Sequence, residues 1–389
     1  MRFLRLLTVL LLLLALQGCS WIKSWGKDDD DPGSPAELVE FNTTLATREV
    51  WSRSVGAGIG KAEPQLRPAY WDGSVYAADY KGRVMAIDAE SGSVRWEVKT
   101  ELPLSGGPGI NGENLFIGTE NGEVHTLSTA DGTLLWTAQV SSEILAAPVA
   151  GDGVVVIRCV DGRIFGLDED SGRRLWIYDR SVPLLTLRGN SVPVIWAGVA
   201  YVGYDGGEVV ALNLETGTVI WEQTVVTSEG RSELERLSDI DGDMVYVASD
   251  LIVSSYKNRL ASLAADSGRL LWFKDIASAT GVVVDRTNLA ISDRQSHLWL
   301  LDRRNGSTIW KHDQLENRQL TRPGLMGNFV VVGDFEGYLH WISLSDGNVA
   351  AREKVGGDGF VTGPLVVGNR MFALTRKGKL VAYSVGGEL

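Results

Sequence analysis

The stretch Ala211-Leu-Asn-Leu-Glu-Thr-Gly-Thr-Val-Ile-Trp221 carries the pattern on which this sequence is built. A short apolar run ends in Asn213, Thr216-Gly217 provides a turn, and a second apolar run reaches Trp221. Glycine and short polar residues favour tight turns because they adopt the required backbone angles or hydrogen-bond to the local backbone. The stretch therefore predicts an antiparallel hairpin that ends in tryptophan.

The same pattern recurs along the chain with a period near 40 residues. Six copies end in tryptophan, at Trp96, Trp136, Trp176, Trp221, Trp272 and Trp310. A seventh copy passes through Asp346-Gly347 and has Ala351 in place of the tryptophan, and an eighth starts at Gly378 and stops before it. A repeat of this length, made of short apolar runs and hairpin turns, is typical of a β-propeller blade.

Trp51 provides the tryptophan that the eighth copy lacks. It lies 45 residues before Trp96, with no preceding copy of its own. We expect the N-terminal strand to complete the last blade, since this leaves the ring without an open edge. The sequence therefore predicts one all-β domain over residues 41–389, an eight-bladed β-propeller closed by pairing of the N-terminal strand with the last blade.

Tryptophan at one position of each copy indicates packing between blades, since a large ring with one polar N–H fills such a gap. Stacking on a ligand is the alternative. With 13 tryptophans in the chain, most are expected to report architecture and not activity.

The first forty residues predict a lipid anchor and a tether. Arg2 and Arg5 precede an apolar run of eleven residues, Leu6–Leu16, which is too short to span a bilayer comfortably. Gly18-Cys19 resembles the bacterial lipobox, so residues 1–18 are expected to be a signal peptide and Cys19 the lipidated residue. An ordinary secretory signal peptide is the alternative. Because Ser20 and not Asp follows the cysteine, the sorting pattern favours the periplasmic face of the outer membrane. The segment 19–40, which contains the acidic run Asp28–Asp31, is expected to form a flexible tether.

Composition excludes several classes of protein. A net charge of −12 argues against a nucleic-acid binder, which needs clustered Lys and Arg. Two cysteines cannot build a disulfide framework or a Cys-rich metal site, and Cys159 is expected to be buried. His125 and His340 occupy equivalent positions of two copies far apart in the ring, so they are not expected to share a metal. No catalytic motif occurs, and we predict no catalytic residue, metal or cofactor.

The repeat also resembles that of the pyrroloquinoline-quinone dehydrogenases, which share the eight-bladed architecture. Those enzymes bind the quinone against adjacent cysteines and use a calcium ion held by Glu, Asn and Asp. This chain has no adjacent cysteines and is much shorter. We therefore predict no enzyme, and keep as alternatives a quinoprotein-like enzyme and a small-ligand-binding propeller that uses its central channel.

The repeat lengthens on either side of Trp221, compared with 40 residues or fewer in three of the other intervals. Trp176 lies 45 residues before it and Trp272 lies 51 residues after it. The first interval contains Pro183-Leu-Leu-Thr-Leu-Arg-Gly189, and the second is rich in charged residues up to Asp241. Leucines and an arginine in a connection suit a protein interface, although a leucine cap on the blade core and a solvated charged loop are the alternatives.

Together these features resemble the BamB family of outer-membrane protein assembly factors. The resemblance rests on the lipobox, the acidic tether, the eight repeats, Leu185-Thr-Leu187-Arg188-Gly189, Arg236-Leu-Ser-Asp239-Ile-Asp241 and Val332–Trp341. It implies a non-enzymatic scaffold lipoprotein of the complex that folds β-barrel proteins into the outer membrane. The implied partner is the central barrel protein BamA, through its POTRA domains. The family's contact residues correspond to Leu185, Leu187, Arg188, Asp239 and Asp241. Unfolded outer-membrane proteins are a second, implied partner.

Overall fold

The computed structural model describes residues 33–60, 65–181, 191–227 and 238–388. All regular secondary structure in these ranges is β-strand, and none of the described residues form an apolar helix long enough to cross a membrane. Gly33–Ala36 contain a turn and belong to a separate unit, and the propeller unit begins at Glu37.

The strands form eight small sheets, numbered here as blades in chain order. Two strands precede blade 1, β1 (Leu45–Ser54) and β2 (Gln65–Leu66). Blade 1 contains β3 (Ala69–Trp71), β4 (Ser74–Ala78), β5 (Arg83–Asp88) and β6 (Val94–Lys99). Blade 2 contains β7 (Leu104–Asn111), β8 (Asn114–Thr119), β9 (Glu123–Ser128) and β10 (Leu134–Gln139). Blade 3 contains β11 (Val149–Gly151), β12 (Val154–Arg158), β13 (Ile164–Asp168) and β14 (Arg174–Tyr178). Blade 4 contains β15 (Val194–Trp196), β16 (Val199–Gly203), β17 (Glu208–Asn213) and β18 (Val219–Thr224).

The second half of the ring repeats this arrangement. Blade 5 contains β19 (Val245–Val247), β20 (Asp250–Ser254), β21 (Leu260–Ala264) and β22 (Leu270–Lys274). Blade 6 contains β23 (Val282–Val284), β24 (Asn288–Ser292), β25 (Leu298–Asp302) and β26 (Thr308–His312). Blade 7 contains β27 (Gly324–Met326), β28 (Phe329–Gly333), β29 (Tyr338–Ser343) and β30 (Val349–Lys354). Blade 8 contains β31 (Leu365–Val367), β32 (Arg370–Leu374) and β33 (Lys379–Glu388), with β1 as its outer strand.

The blades close into a ring through their first strands, each of which contacts the first strand of the next blade, and β31 contacts β3. Within a blade the strands are antiparallel and in sequence order, except that β1 forms the outer strand of blade 8 and that β2 adds to β7 in parallel. In blade 8, β1 pairs with β33 so that Trp51 lies opposite Ala382. The eight-bladed fold and its closure by the N-terminal strand are confirmed.

Each blade tryptophan reaches across to the next blade. The indole N–H of Trp136 donates to the backbone carbonyl of Glu169 at 2.8 Å, and that of Trp176 donates to Leu214 at 2.8 Å. The indole ring of each tryptophan also covers a turn glycine of the neighbouring blade. A Cβ added at Gly172, whose φ is +69°, would lie 2.4 Å from Trp136 Cε3. The packing role predicted for these tryptophans is confirmed.

The missing tryptophan of blade 7 follows from the way the ring closes. In the other blades the tryptophan binds the hairpin between the third and fourth strands of its neighbour. Blade 8 has no such hairpin, because its fourth strand is β1. Leu45 at the start of β1 fills this place, where it is buried with Trp341 and Ala351, and Thr44 N donates to the Ala350 carbonyl.

The last residues expected in the tether belong instead to the folded unit. Leu38 and Phe41 pack against the apolar core of blades 6 and 7. Arg352 of β30 donates to the Val39 carbonyl at 3.1 Å, and its guanidinium lies 5.0 Å from the centre of the Phe41 ring. Apolar side chains thus follow the acidic run before β1 begins, and they pack on the compact unit that starts at Glu37.

Candidate protein-docking site

The two long intervals become two connections that flank blade 4. The first docking connection, residues 179–193, joins β14 to β15, and the second, residues 225–244, joins β18 to β19. The described ends of both connections lie at the end of the ring that also carries the turn between the second and third strand of each blade, because four antiparallel strands alternate in direction. Leu185, Leu187 and Arg188 of the first connection lie outside the described residues, as does Cys19.

Asp239 and Asp241 lie in the inner part of the second docking connection, which is tightly held. Tyr256 N donates to the Asp239 carbonyl at 2.9 Å, and Ile240 N donates to the Tyr204 carbonyl at 3.1 Å. Ile240 is fully buried in the core of blades 4 and 5. Asp239 and Asp241 are 0% and 8% exposed in the chain as it stands. Direct contact between these two carboxylates and a partner stays a prediction. In the structure both side chains are buried within the protein.

These two carboxylates belong to a cluster that sequence reasoning did not find. Asp205, in the turn between β16 and β17, joins Asp239 and Asp241, with one oxygen of each within 4.8 Å of the others. Arg158 at the end of β12 pairs with Asp205, Nη2 to Oδ1 at 2.5 Å, and both side chains are at least 95% buried. Arg158 Nη1 also donates to the Ser191 carbonyl at 3.4 Å. The cluster therefore lies between the ends of both docking connections.

A signal for Arg158 was present in the repeat. The equivalent strand position is small in most other blades, where it is occupied by Ala78, Gly118, Gly203, Ser254, Ser292 and Gly333. An arginine is almost never fully buried unless it is paired. An arginine in place of a small residue therefore indicates that blade 3 holds a buried charged partner for it at this position.

The axial channel is crossed by charged side chains at the same end of the ring. Arg67, which precedes β3 of blade 1, donates to Asp243 Oδ2, which precedes β19 of blade 5. Blades 1 and 5 are opposite each other in a ring of eight. Arg322, before β27 of blade 7, approaches the same oxygen at 3.5 Å. Burial alone would raise the pKa of Asp243, but the charges of Arg67 and Arg322 outweigh it and hold the pKa below its ordinary value.

A cavity of about 320 Å³ adjoins this ion pair, and its lining includes Arg67, Asp241, Tyr256, Arg322 and Thr362. Cys159 directly follows Arg158, the last residue of β12, and is buried as expected. Burial raises the pKa of its thiol to about 11, so the thiol is a poor nucleophile at neutral pH.

This architecture defines the class to which the chain belongs, the eight-bladed propellers with tryptophan-containing repeats. The quinohemoprotein alcohol dehydrogenase from Comamonas testosteroni shares the fold, with a TM-score of 0.68 and 15% identity over 87% of this chain and 76% of that one. At that identity the likeness is one of fold alone.

Within this class the similarity to one family extends over nearly the whole sequence. The family model described as outer membrane protein assembly factor BamB matches residues 39–103 and 81–312. The protein of that name from Pseudomonas aeruginosa is 42% identical, over 97% of this chain and 98% of its own. The crystal structure of BamB from Moraxella catarrhalis superposes with a TM-score of 0.79 at 27% identity, covering 87% of this chain and all of that one. The chain belongs to the BamB family.

Proposed function

We propose that this chain is a scaffold of outer-membrane protein assembly and that it docks on the POTRA domains of the central barrel protein BamA through the two connections flanking blade 4. The observation that carries the proposal is family membership along nearly the entire chain, including these connections. Leu185 and Leu187 would bury apolar area, and Arg188 would form charge-assisted hydrogen bonds. Asp239 and Asp241 are buried directly under this surface, and their carboxylates would complete its charged part.

Alanine at Leu187 or Arg188 tests the docking surface. Each variant should weaken binding to the purified POTRA region at least tenfold, since truncating a well-packed interface anchor costs about 2 kcal/mol or more. Its melting temperature should stay close to that of the unchanged protein. Leu135→Ala and Arg304→Ala are matched controls, because both side chains are exposed on outer parts of other blades. Variants that bind the POTRA region as tightly as the unchanged protein would show that docking occurs elsewhere.

We also propose that Cys19 carries the lipid that holds the protein at the periplasmic face of the outer membrane. Two or more acyl chains make such anchoring stable. Labelled palmitate should be incorporated into the unchanged protein and not into Cys19→Ala, which should fractionate with the soluble periplasm. Equal incorporation into both proteins would contradict the assignment.

A second role, transient binding of unfolded barrel strands, is favoured by the outer strands of the blades. They expose apolar side chains, among them Leu134, Leu135, Val219, Ile220, Leu270 and Phe273. An outer strand also has an unpaired backbone edge, to which an extended chain can add as a further strand. A photo-crosslinker at Leu135 or Leu271 should capture unfolded substrate, whereas one at Arg48 of the charged strand β1 should not. Crosslinks to assembly partners alone would count against this role.

We propose no catalytic activity. The Arg67–Asp243 ion pair crosses the channel that a quinone or other small ligand of a propeller would use. An absorption spectrum of protein purified from its own host tests the quinoprotein alternative, since a bound quinone has a visible or near-ultraviolet band. Such a band in stoichiometric amount would overturn the proposal.

A further inference from the structure

We infer that the buried Arg158–Asp205 ion pair is a positioning pair, which fixes the ends of both docking connections, at Ser191 and at Asp239–Asp241, so that a partner can bind there. The inference rests on the proposed function, because it concerns the shape of the proposed docking surface. Neither residue lies in a docking connection, and the two side chains are only 5% and 4% exposed. The pair is therefore placed to act through the connections and not by touching a partner.

Arg158 holds the C-terminal end of the first docking connection. Its guanidinium donates to the Ser191 carbonyl, three residues before β15 begins. Ser191 is itself fully buried, so this end of the connection is fixed inside the protein. Loss of Arg158 would remove a charged donor from a buried carbonyl, and the backbone there would have to move or take up water.

Asp205 links the same arginine to the second docking connection. It shares the carboxylate cluster with Asp239 and Asp241, and the carbonyl of the preceding residue, Tyr204, accepts the hydrogen bond from Ile240 N. The positive charge of Arg158 therefore lies beside a group of three acidic side chains. Within this group Asp205 is the member that the structure pairs directly with the arginine.

A purely structural role would not require this pair. A buried ion pair seldom stabilises a fold more than apolar residues of similar volume, because both charges lose their hydration. The equivalent strand position accepts Ala, Gly or Ser in other blades without loss of the blade. The arginine is therefore better explained by its contacts with the ends of the docking connections, which flank blade 4.

The experiment compares two buried ion pairs of the same kind. Asp205→Asn removes the buried carboxylate that pairs with Arg158. Asp334→Asn removes the buried one of the two carboxylates that pair with Arg318, three blades away in blade 7. Both variants should melt at a lower temperature than the unchanged protein. Binding to the purified POTRA region is then measured at a temperature where circular dichroism shows both variants folded.

We expect Asp205→Asn to weaken binding at least tenfold and Asp334→Asn to change it less than twofold. Hydrogen exchange provides a readout that does not depend on the partner. Amides of residues 191–192 and 238–244 should exchange faster in Asp205→Asn and at the unchanged rate in Asp334→Asn. Unchanged binding by Asp205→Asn, or an equal loss in both variants, would overturn the inference.

A double variant keeps the test decisive if Asp205→Asn does not fold. Arg158→Met with Asp205→Leu removes both charges at similar volume and should fold, yet should still bind at least tenfold more weakly. Binding at the unchanged level would overturn the inference. If the unchanged protein does not bind the POTRA region at all, the proposed function fails, and the exchange measurement still decides whether the pair orders the two connections.

Discussion

At the scale of single residues, the clearest charge network lies in blade 7. Asp334 is fully buried and accepts hydrogen bonds from Arg318 Nε at 2.8 Å and from His340 Nε2 at 3.1 Å. Arg352 Nε donates to His340 Nδ1 at 3.2 Å. Because arginine can only donate, Nδ1 must accept, and His340 is the neutral tautomer with its proton on Nε2.

The burial of His340 predicts a loss of stability in mild acid. Burial lowers the pKa of this imidazole more than its bond to Asp334 raises it, so the folded value lies below the ordinary 6.5. Burial lowers the pKa of His312 in the same way. As pH falls below about 6.5 the unfolded chain binds these protons before the folded chain does, so the free energy of unfolding falls.

His340→Gln should make this dependence shallower between pH 6.5 and 5, measured by urea unfolding followed through tryptophan fluorescence. The glutamine can still donate to Asp334, so the variant should lose only about 1–2 kcal/mol at pH 7. An unchanged slope would mean that His340 is not a source of the acid sensitivity.

At the scale of elements, the outer strand of blade 8 is the critical one. β1 brings Trp51 to the turn of blade 1 and Leu45 to blade 7, and both side chains are buried. The indole of Trp51 donates to the Ala89 carbonyl at 3.1 Å. One strand therefore joins three consecutive blades, and its loss would leave the long strand β33 as an open edge.

Two truncations test this role. A chain that begins at Glu37 should melt as the full protein does, because it retains the whole folded unit. A chain that begins at Val55 should aggregate or melt at least ~10 °C lower, since it loses the buried side chains of β1 and exposes an edge. Gel filtration and circular dichroism provide the measurement. A monomeric truncated chain with unchanged melting would show that the ring does not need this closure.

Sequence reasoning was strongest where contacts repeat and weakest where they do not. The spacing of the tryptophans was enough to predict the blades, their number and the closing strand, because each Trp–Gly contact recurs in the next copy. The short parallel strand β2 left no such pattern. The repeat marks Arg158 by its departure from a small residue, but the contact of Arg158 with Asp205 joins two neighbouring blades and depends on the folded ring and not on the period.

At the scale of the whole molecule, the Arg67–Asp243 ion pair connects opposite sides of the ring. Arg322 shares the same carboxylate oxygen, so either arginine can still compensate Asp243 when the other is lost. Arg67→Gln and Arg322→Gln should each cost about 1–2 kcal/mol of unfolding free energy.

The double variant of these arginines should cost more than the sum of the single variants, because Asp243 is then buried without a cation. Urea unfolding of all four proteins measures the coupling. Additivity within ~0.3 kcal/mol would contradict this prediction, because it would show that the two arginines act on Asp243 independently.

Leu38–Phe41 pack against blades 6 and 7, so the folded unit begins at this part of the ring. The docking connections flank blade 4, three blades away, which is about 135° around a ring of eight. The folded unit therefore begins about three blades away from the proposed docking connections, and docking there does not require the partner to contact Leu38–Phe41.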